Sequence, residues 1–204
     1  MKNQGFTLLE VMVSVAILGI VMGMLFALSQ TLNRTAMGQD AKITAQDEAR
    51  QGLELIVNQL RQAASASLAG PFPGPSISYR VAGDVDGNGS AVDISGALEL
   101  LPARTIRRDT DDLNGDRETV GQLVLVDGAN VRVLTNGLMP NEDVDASNTL
   151  GATEDTNFNR RLDRGIWFER AGQGIRVTIQ TQRRVGAQRQ FVGTTLTEIV
   201  TPRN

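Results

Sequence analysis

The chain divides by pattern into an apolar run, an amphipathic run and a long stretch of short alternating segments. After the polar start Met1–Gly5, residues from Thr7 to Leu28 are almost wholly apolar, and Glu10 is the only charge among these 22 positions. As a helix, that length crosses a hydrocarbon core. From Ser29 the chain turns polar yet keeps a helical period. Ala45, Ala49, Gly52/Leu53, Ile56, Leu60, Ala63 and Ser67 recur at three- and four-residue steps and mark one apolar stripe. Gly70-Pro71-Phe72-Pro73-Gly74-Pro75 ends the pattern. The prediction is a single helix over 6–69, with Gly38 loosening it at a cost of about 1 kcal/mol relative to alanine.

Beyond Pro75 the runs shorten and are punctuated by Gly, Asp and Asn. Strands are predicted at 77–81, 97–101, 122–126, 131–134, 165–170, 175–183 and 191–200. Val177, Ile179 and Thr181 alternate with polar residues, as a sheet with one buried face requires. Gly172-Gln173-Gly174 and Gly186-Ala187 read as hairpin turns. A long helix followed by strand-rich sequence predicts an α+β fold built on antiparallel sheet.

A secretory signal has a shorter apolar stretch with its cleavage site behind it. Here Gly5 precedes the apolar run, so cutting at that point leaves the helix on the mature protein. The segment Gly5-Phe6-Thr7-Leu8-Leu9-Glu10-Val11 resembles the class III signal of type IV prepilins and type II secretion pseudopilins. The resemblance implies cleavage by a prepilin peptidase between Gly5 and Phe6, then N-methylation of the new amino group on Phe6. It also implies a pilin-like architecture divided as follows: a leader (1–5), a transmembrane and filament-core helix (6–29), an amphipathic continuation (30–69) and a β-rich head (70–204). The implied setting is a single pass through the cytoplasmic (inner) membrane with the head in the periplasm or outside. An inner-membrane assembly platform would then lift the subunit into a filament with other pilin or pseudopilin subunits. Chain length and the closing segment 196–204, ending in arginine-asparagine, resemble J-type pseudopilins and W-type minor pilins, which implies a tip or priming complex. Whether the machine is a pilus or a secretion system stays open.

A charged carboxylate inside a bilayer costs on the order of 2–3 kcal/mol even on lenient scales, so Glu10 calls for a partner. One reading is a neutral or snorkelling side chain near the headgroups. The other is a salt bridge to the Phe6 ammonium of a neighbouring subunit, which would set register during assembly. Gly19 and Gly23 form a small-xxx-small pair suited to close helix packing, or are simply tolerated in a lipid-facing helix.

Composition narrows the chemistry. With no cysteine and no histidine, disulfides, thiol nucleophiles, histidine bases and the usual zinc sites are ruled out. No motif marks an oriented nucleophile or a phosphate loop, so a non-catalytic protein is expected. A membrane-anchored enzyme is the alternative from another class. Acids and amides recur at alternate positions in three segments. These are Asp84, Asp86, Asn88 and Asp93; Asp109, Asp111, Asn114 and Asp116; and Asp155, Asn157, Asn159 and Asp163. Alternating oxygen ligands in a glycine-turned loop are how a calcium loop begins, although Ser95 stands where an EF-hand carries its bidentate glutamate. Turn chemistry alone also gathers these residues.

Two of the 20 basic residues are lysine, leaving 18 arginines, clustered at Arg104/Arg107/Arg108, Arg160/Arg161/Arg164 and Arg183/Arg184/Arg189. They suit contacts to DNA phosphates, as in a minor pilin of competence and DNA uptake. They equally suit ion pairs with the acids beside them, and a net charge of −3 gives no bulk attraction to nucleic acid.

Overall fold

The computed structural model describes residues 7–113, 115, 121–143, 149, 162–185 and 191–203. Helix α1 runs unbroken over Leu8–Gln62, straight through Gly38. Up to residue 44 its large apolar side chains lie exposed, from Leu8 at 81% to Ile43 at 55%. Burial starts at Ala45 and follows the predicted stripe: Ala45, Ala49, Gly52, Leu53, Ile56, Val57 and Leu60. A 37-residue arm, apolar as far as Leu28 and about 55 Å long at 1.5 Å per residue, therefore stands clear of the head.

The helix stops seven residues short of the predicted end. Ala63 and Ala64 adopt extended backbone and bridge to Val81 and Arg203, and a 3-10 turn follows at Ser65–Ser67. Alanine favours helix, but here two tertiary backbone pairings override a propensity worth only tenths of a kcal/mol per residue.

The seven strands are β1 (Ser76–Tyr79), β2 (Arg104–Asp109), β3 (Gly121–Asp127), β4 (Asn130–Leu138), β5 (Ile166–Ala171), β6 (Gly174–Arg184) and β7 (Phe191–Val200). All pair antiparallel in the order β1-β2-β3-β4-β6-β5, with β7 on the other side of β6. The expected strand at 97–101 is absent; only the isolated bridges Ala82–Leu100 and Val92–Leu98 occur there. In its place β2 forms from 104–109, where the sequence reads as an arginine cluster. Ile106 is its one fully buried side chain, while Arg104 and Arg107 neutralise Asp127 and Asp109 at 2.9 and 2.7 Å. The hairpin at Gly172–Gln173 forms as expected, with Gly172 at φ +63° in the left-handed region that glycine enters freely. The second expected turn, Gly186-Ala187, lies outside the described residues.

The C-terminal part of α1 lies against β4, β6 and β7, and the core forms between them. Leu53, Ile56, Val57 and Leu60 meet Leu134, Leu138, Ile175, Val177 and Ile179. Full burial of each such side chain contributes about 1.5–3 kcal/mol, so this face dominates the docking of helix on sheet. Polar contacts set its position. Thr181 Oγ1 donates to the Ala45 carbonyl at 2.6 Å, Thr135 Oγ1 to the Glu48 carbonyl at 3.1 Å, and Arg183 pairs with Glu48.

Candidate functional site: the helix start and the acidic loop

The start of α1 is built by Thr7 and Glu10. Thr7 has extended backbone (φ −76°, ψ 151°) and its Oγ1 accepts from the Glu10 amide at 3.3 Å. In return Glu10 Oε2 accepts from the Thr7 amide at 3.0 Å and from its hydroxyl at 3.1 Å. This reciprocal capping box satisfies helix-end donors that lipid would otherwise leave unpaired. The Thr7-x-x-Glu10 spacing is its sequence signature. The cap uses one carboxylate oxygen; among the described residues Oε1 accepts nothing. Gly5 and Phe6 lie outside the described residues. Gly19 and Gly23 have open space where a Cβ would stand, on the exposed arm.

Of the three acidic segments, the first comes together in part. Asp84 Oδ1 accepts from the amides of Gly87 at 2.6 Å and Asn88 at 3.1 Å, and Oδ2 from Gly89 at 2.8 Å. Gly87 and Gly89 both sit at φ +81°, which lets the loop wrap this carboxylate with amides. Those bonds, that of Gly89 foremost, hold the Asp84 carboxyl below its usual 3.8. Asp86 and Glu99 bring carboxylate oxygens to within 4.8 Å of each other and of Asp84. Glu99 was not among the expected ligands. It arrives from a position 13 residues along to accept from the Val85 and Asp86 amides.

The structure departs from the expected ligand set at two positions. Asn88 turns its Oδ1 to the Ser90 amide at 2.7 Å and its Nδ2 to Asp86. Asp93 does not join the triad. Its Oδ1 caps a separate turn, accepting from the Ser95 hydroxyl and amide and the Ala97 amide, and the Ser95 hydroxyl bond leads, ahead of the Ala97 amide, in lowering its pKa.

The other two segments do not converge among the described residues. Asp109 accepts from the Thr110 and Asp111 amides and pairs with Arg107; these bonds, that from Asp111 first, lower its pKa. Asp111 enters no such acidic group. Asn114 and Asp116 lie outside the described residues. Asp163 is buried at 4% exposure in backbone pairing with Glu142, so it is no open-loop ligand. Asp155, Asn157 and Asn159 lie outside the described residues.

The arginines resolve mainly into ion pairs. Arg104 meets Asp127, Arg107 meets Asp109, Arg164 meets the buried Asp143 at 2.8 Å, and Arg183 meets Glu48. Arg108 lies half-buried against Gly121, and desolvation lowers its pKa. Arg160, Arg161 and Arg189 lie outside the described residues.

One long N-terminal apolar helix packed on a curled antiparallel sheet defines a pilin-like α+β architecture. Residues 1–26 match the family model described as the prokaryotic N-terminal methylation motif, which is the class III signal of type IV pilin and pseudopilin precursors. No curated protein and no solved structure matches the chain.

Proposed function

We propose that this chain is a structural, non-catalytic minor subunit of a type IV pilus or a type II secretion pseudopilus, of the J-type or W-type. A prepilin peptidase removes 1–5 and Phe6 is N-methylated. The subunit waits in the cytoplasmic membrane with its head in the periplasm or outside. The inner-membrane assembly platform then moves it into a filament, in a tip or priming complex with other minor subunits. The observation that carries this reading is the exposed arm, residues 8–44, joined without a break to the head and headed by the methylation motif. Its apolar side chains exchange lipid for sister helices, so burial changes little. Direction comes from Glu10, whose second oxygen remains for the Phe6 ammonium of a neighbour. Glu10→Ala leaves peptidase cleavage intact and abolishes incorporation into sheared filament fractions; normal incorporation overturns the pairing.

A second reading concerns calcium at the first acidic loop. Three carboxylates within 4.8 Å repel one another, and oxygen donors of this kind fit a hard cation. Asp84, Asp86 and Glu99 would hold the ion, whose binding to the folded form alone stabilises it by about 2.7 kcal/mol at a hundredfold excess over Kd. Millimolar calcium should raise the Tm of the full chain in detergent, and Glu99→Gln should remove most of that rise. An unchanged Tm in calcium and in chelator would dispose of the site.

A further inference from the structure

β4 and β6 pair at a single position, Leu138↔Thr181, supported by the Met139 amide donating to the Gln180 carbonyl at 2.9 Å. The β3–β4 and β6–β7 ladders on either side are long. The sheet is therefore two ladders, β1-β2-β3-β4 and β7-β6-β5, meeting at a narrow seam. Gly137, at φ +76°, is the β4 residue that leaves the pairing. The left-handed backbone there is open to glycine at little cost.

Glu48 of α1 stands where the ladder fails. Its carbonyl accepts from Thr135 Oγ1 of β4 at 3.1 Å. Its carboxylate faces Arg183 of β6, which donates from Nε to Oε2 at 3.0 Å and from its terminal nitrogen to Oε1. Such a two-pronged pair fixes geometry as well as charge. It is also shielded, with side-chain exposures of 15% for Glu48 and 22% for Arg183, so solvent ions screen it weakly. A Cβ on Gly137 would stand 2.6 Å from Glu48 Oε2, so a side chain at 137 would displace the carboxylate. One helix residue thus grips both ladders.

The same stretch of α1 is where the arm leaves the head. Thr181 Oγ1 donates to the Ala45 carbonyl at 2.6 Å, and among the described residues no hydrogen bond or ion pair joins 8–44 to the head. From 45 to 52 the buried helix residues are Ala45, Ala49 and Gly52, which carry one methyl or none; the first large apolar side chain to dock is Leu53. Apolar burial scales with area, so it holds these two turns weakly and leaves them to the polar contacts.

We propose that Glu48 is a clasp that couples closure of the β4–β6 seam to the direction of the arm. With Thr135 and Arg183 both engaged, residues 45–52 stay docked and the arm leaves the head at one angle. With the clasp open, those turns lift from the sheet and the arm takes a range of angles about the grip at Leu53. This concerns the isolated chain and does not depend on the filament reading.

The test uses the full-length chain in detergent. The protein has no cysteine, so Gln39→Cys on the arm and Thr195→Cys on β7 give one spin-label pair and one distance. The parent should show a narrow distance distribution. Glu48→Ala should widen it about twofold or more, Arg183→Ala as much, and the double variant no further, because the two act as one unit. Gly137→Ala should widen it without removing a charge, and it carries the comparison if Glu48→Ala does not fold. Arg104→Gln, which breaks the Arg104–Asp127 pair elsewhere on the sheet, should leave the width unchanged. Variants that melt lower yet keep the parent width show a contact that only adds stability, and that result overturns the inference. Equal widening by Arg104→Gln overturns it too. Neither result bears on whether the chain enters filaments.

Discussion

At Gly52 α1 packs tightly against the sheet, and replacing it sets two effects of opposite sign against each other. A Cβ there would stand 2.6 Å from Thr135 Cγ2 and 2.8 Å from Ile179 Cδ1. Helix propensity alone makes Gly52→Ala stabilising by about 1 kcal/mol. Overpacking opposes it at about 1–3 kcal/mol. Thr135 cannot simply rotate away, because its hydroxyl is bonded to the Glu48 carbonyl, a contact worth about 1 kcal/mol. Ile179 is fully buried, and a close-packed interior gives its side chain little room to shift. The clash and the lost bond outweigh propensity, giving a net loss of about 2 kcal/mol and a fall in Tm of roughly 4–8 °C for a domain of this size. Thermal unfolding of the full chain in detergent reads this out. Gly38→Ala is the control, since that position has nothing within 4 Å and should not lower Tm. A Gly52→Ala protein as stable as the control would refute the close docking of helix on sheet.

The filament and calcium predictions stand with the Glu10→Ala and Glu99→Gln variants above. The acidic loop adds a pH dependence. Because backbone amides lower the pKa of Asp84 in the folded loop, their stabilisation is present above the ordinary carboxyl value of 3.8 and is lost as pH falls through the lowered value. With chelator present, the Gly87 and Gly89 amide resonances should titrate with a midpoint below 3.8; a midpoint at or above it contradicts the bonding.

Much of this organisation is legible in the residues themselves, and the exceptions have physical causes. The stripe from Ala45 to Leu60 has a period that only a helix docked on one face explains, and each of its positions is buried. The helix end is not legible, since Ala63 and Ala64 leave the helix for backbone partners at Val81 and Arg203, far along the chain. β2 is hidden because its charges are balanced by Asp109 within the strand and Asp127 across it, leaving Ile106 as the lone buried side chain. Conversely, the apolar run at 97–101 looks like a strand but finds only isolated bridges. At the acidic loop, the Asp84-x-Asp86 spacing marks the centre, while Glu99 reaches it through folding and leaves no local signal. At the helix start Thr7, three residues before Glu10, spells out the cap.

The whole account turns on what happens at Gly5 and Phe6. Intact-mass and N-terminal peptide mass spectrometry of the protein recovered from filament fractions tests it most directly. The account predicts a polypeptide that begins at Phe6 and carries a methyl group on its amino terminus. A filament-associated chain that still begins at Met1 would contradict it.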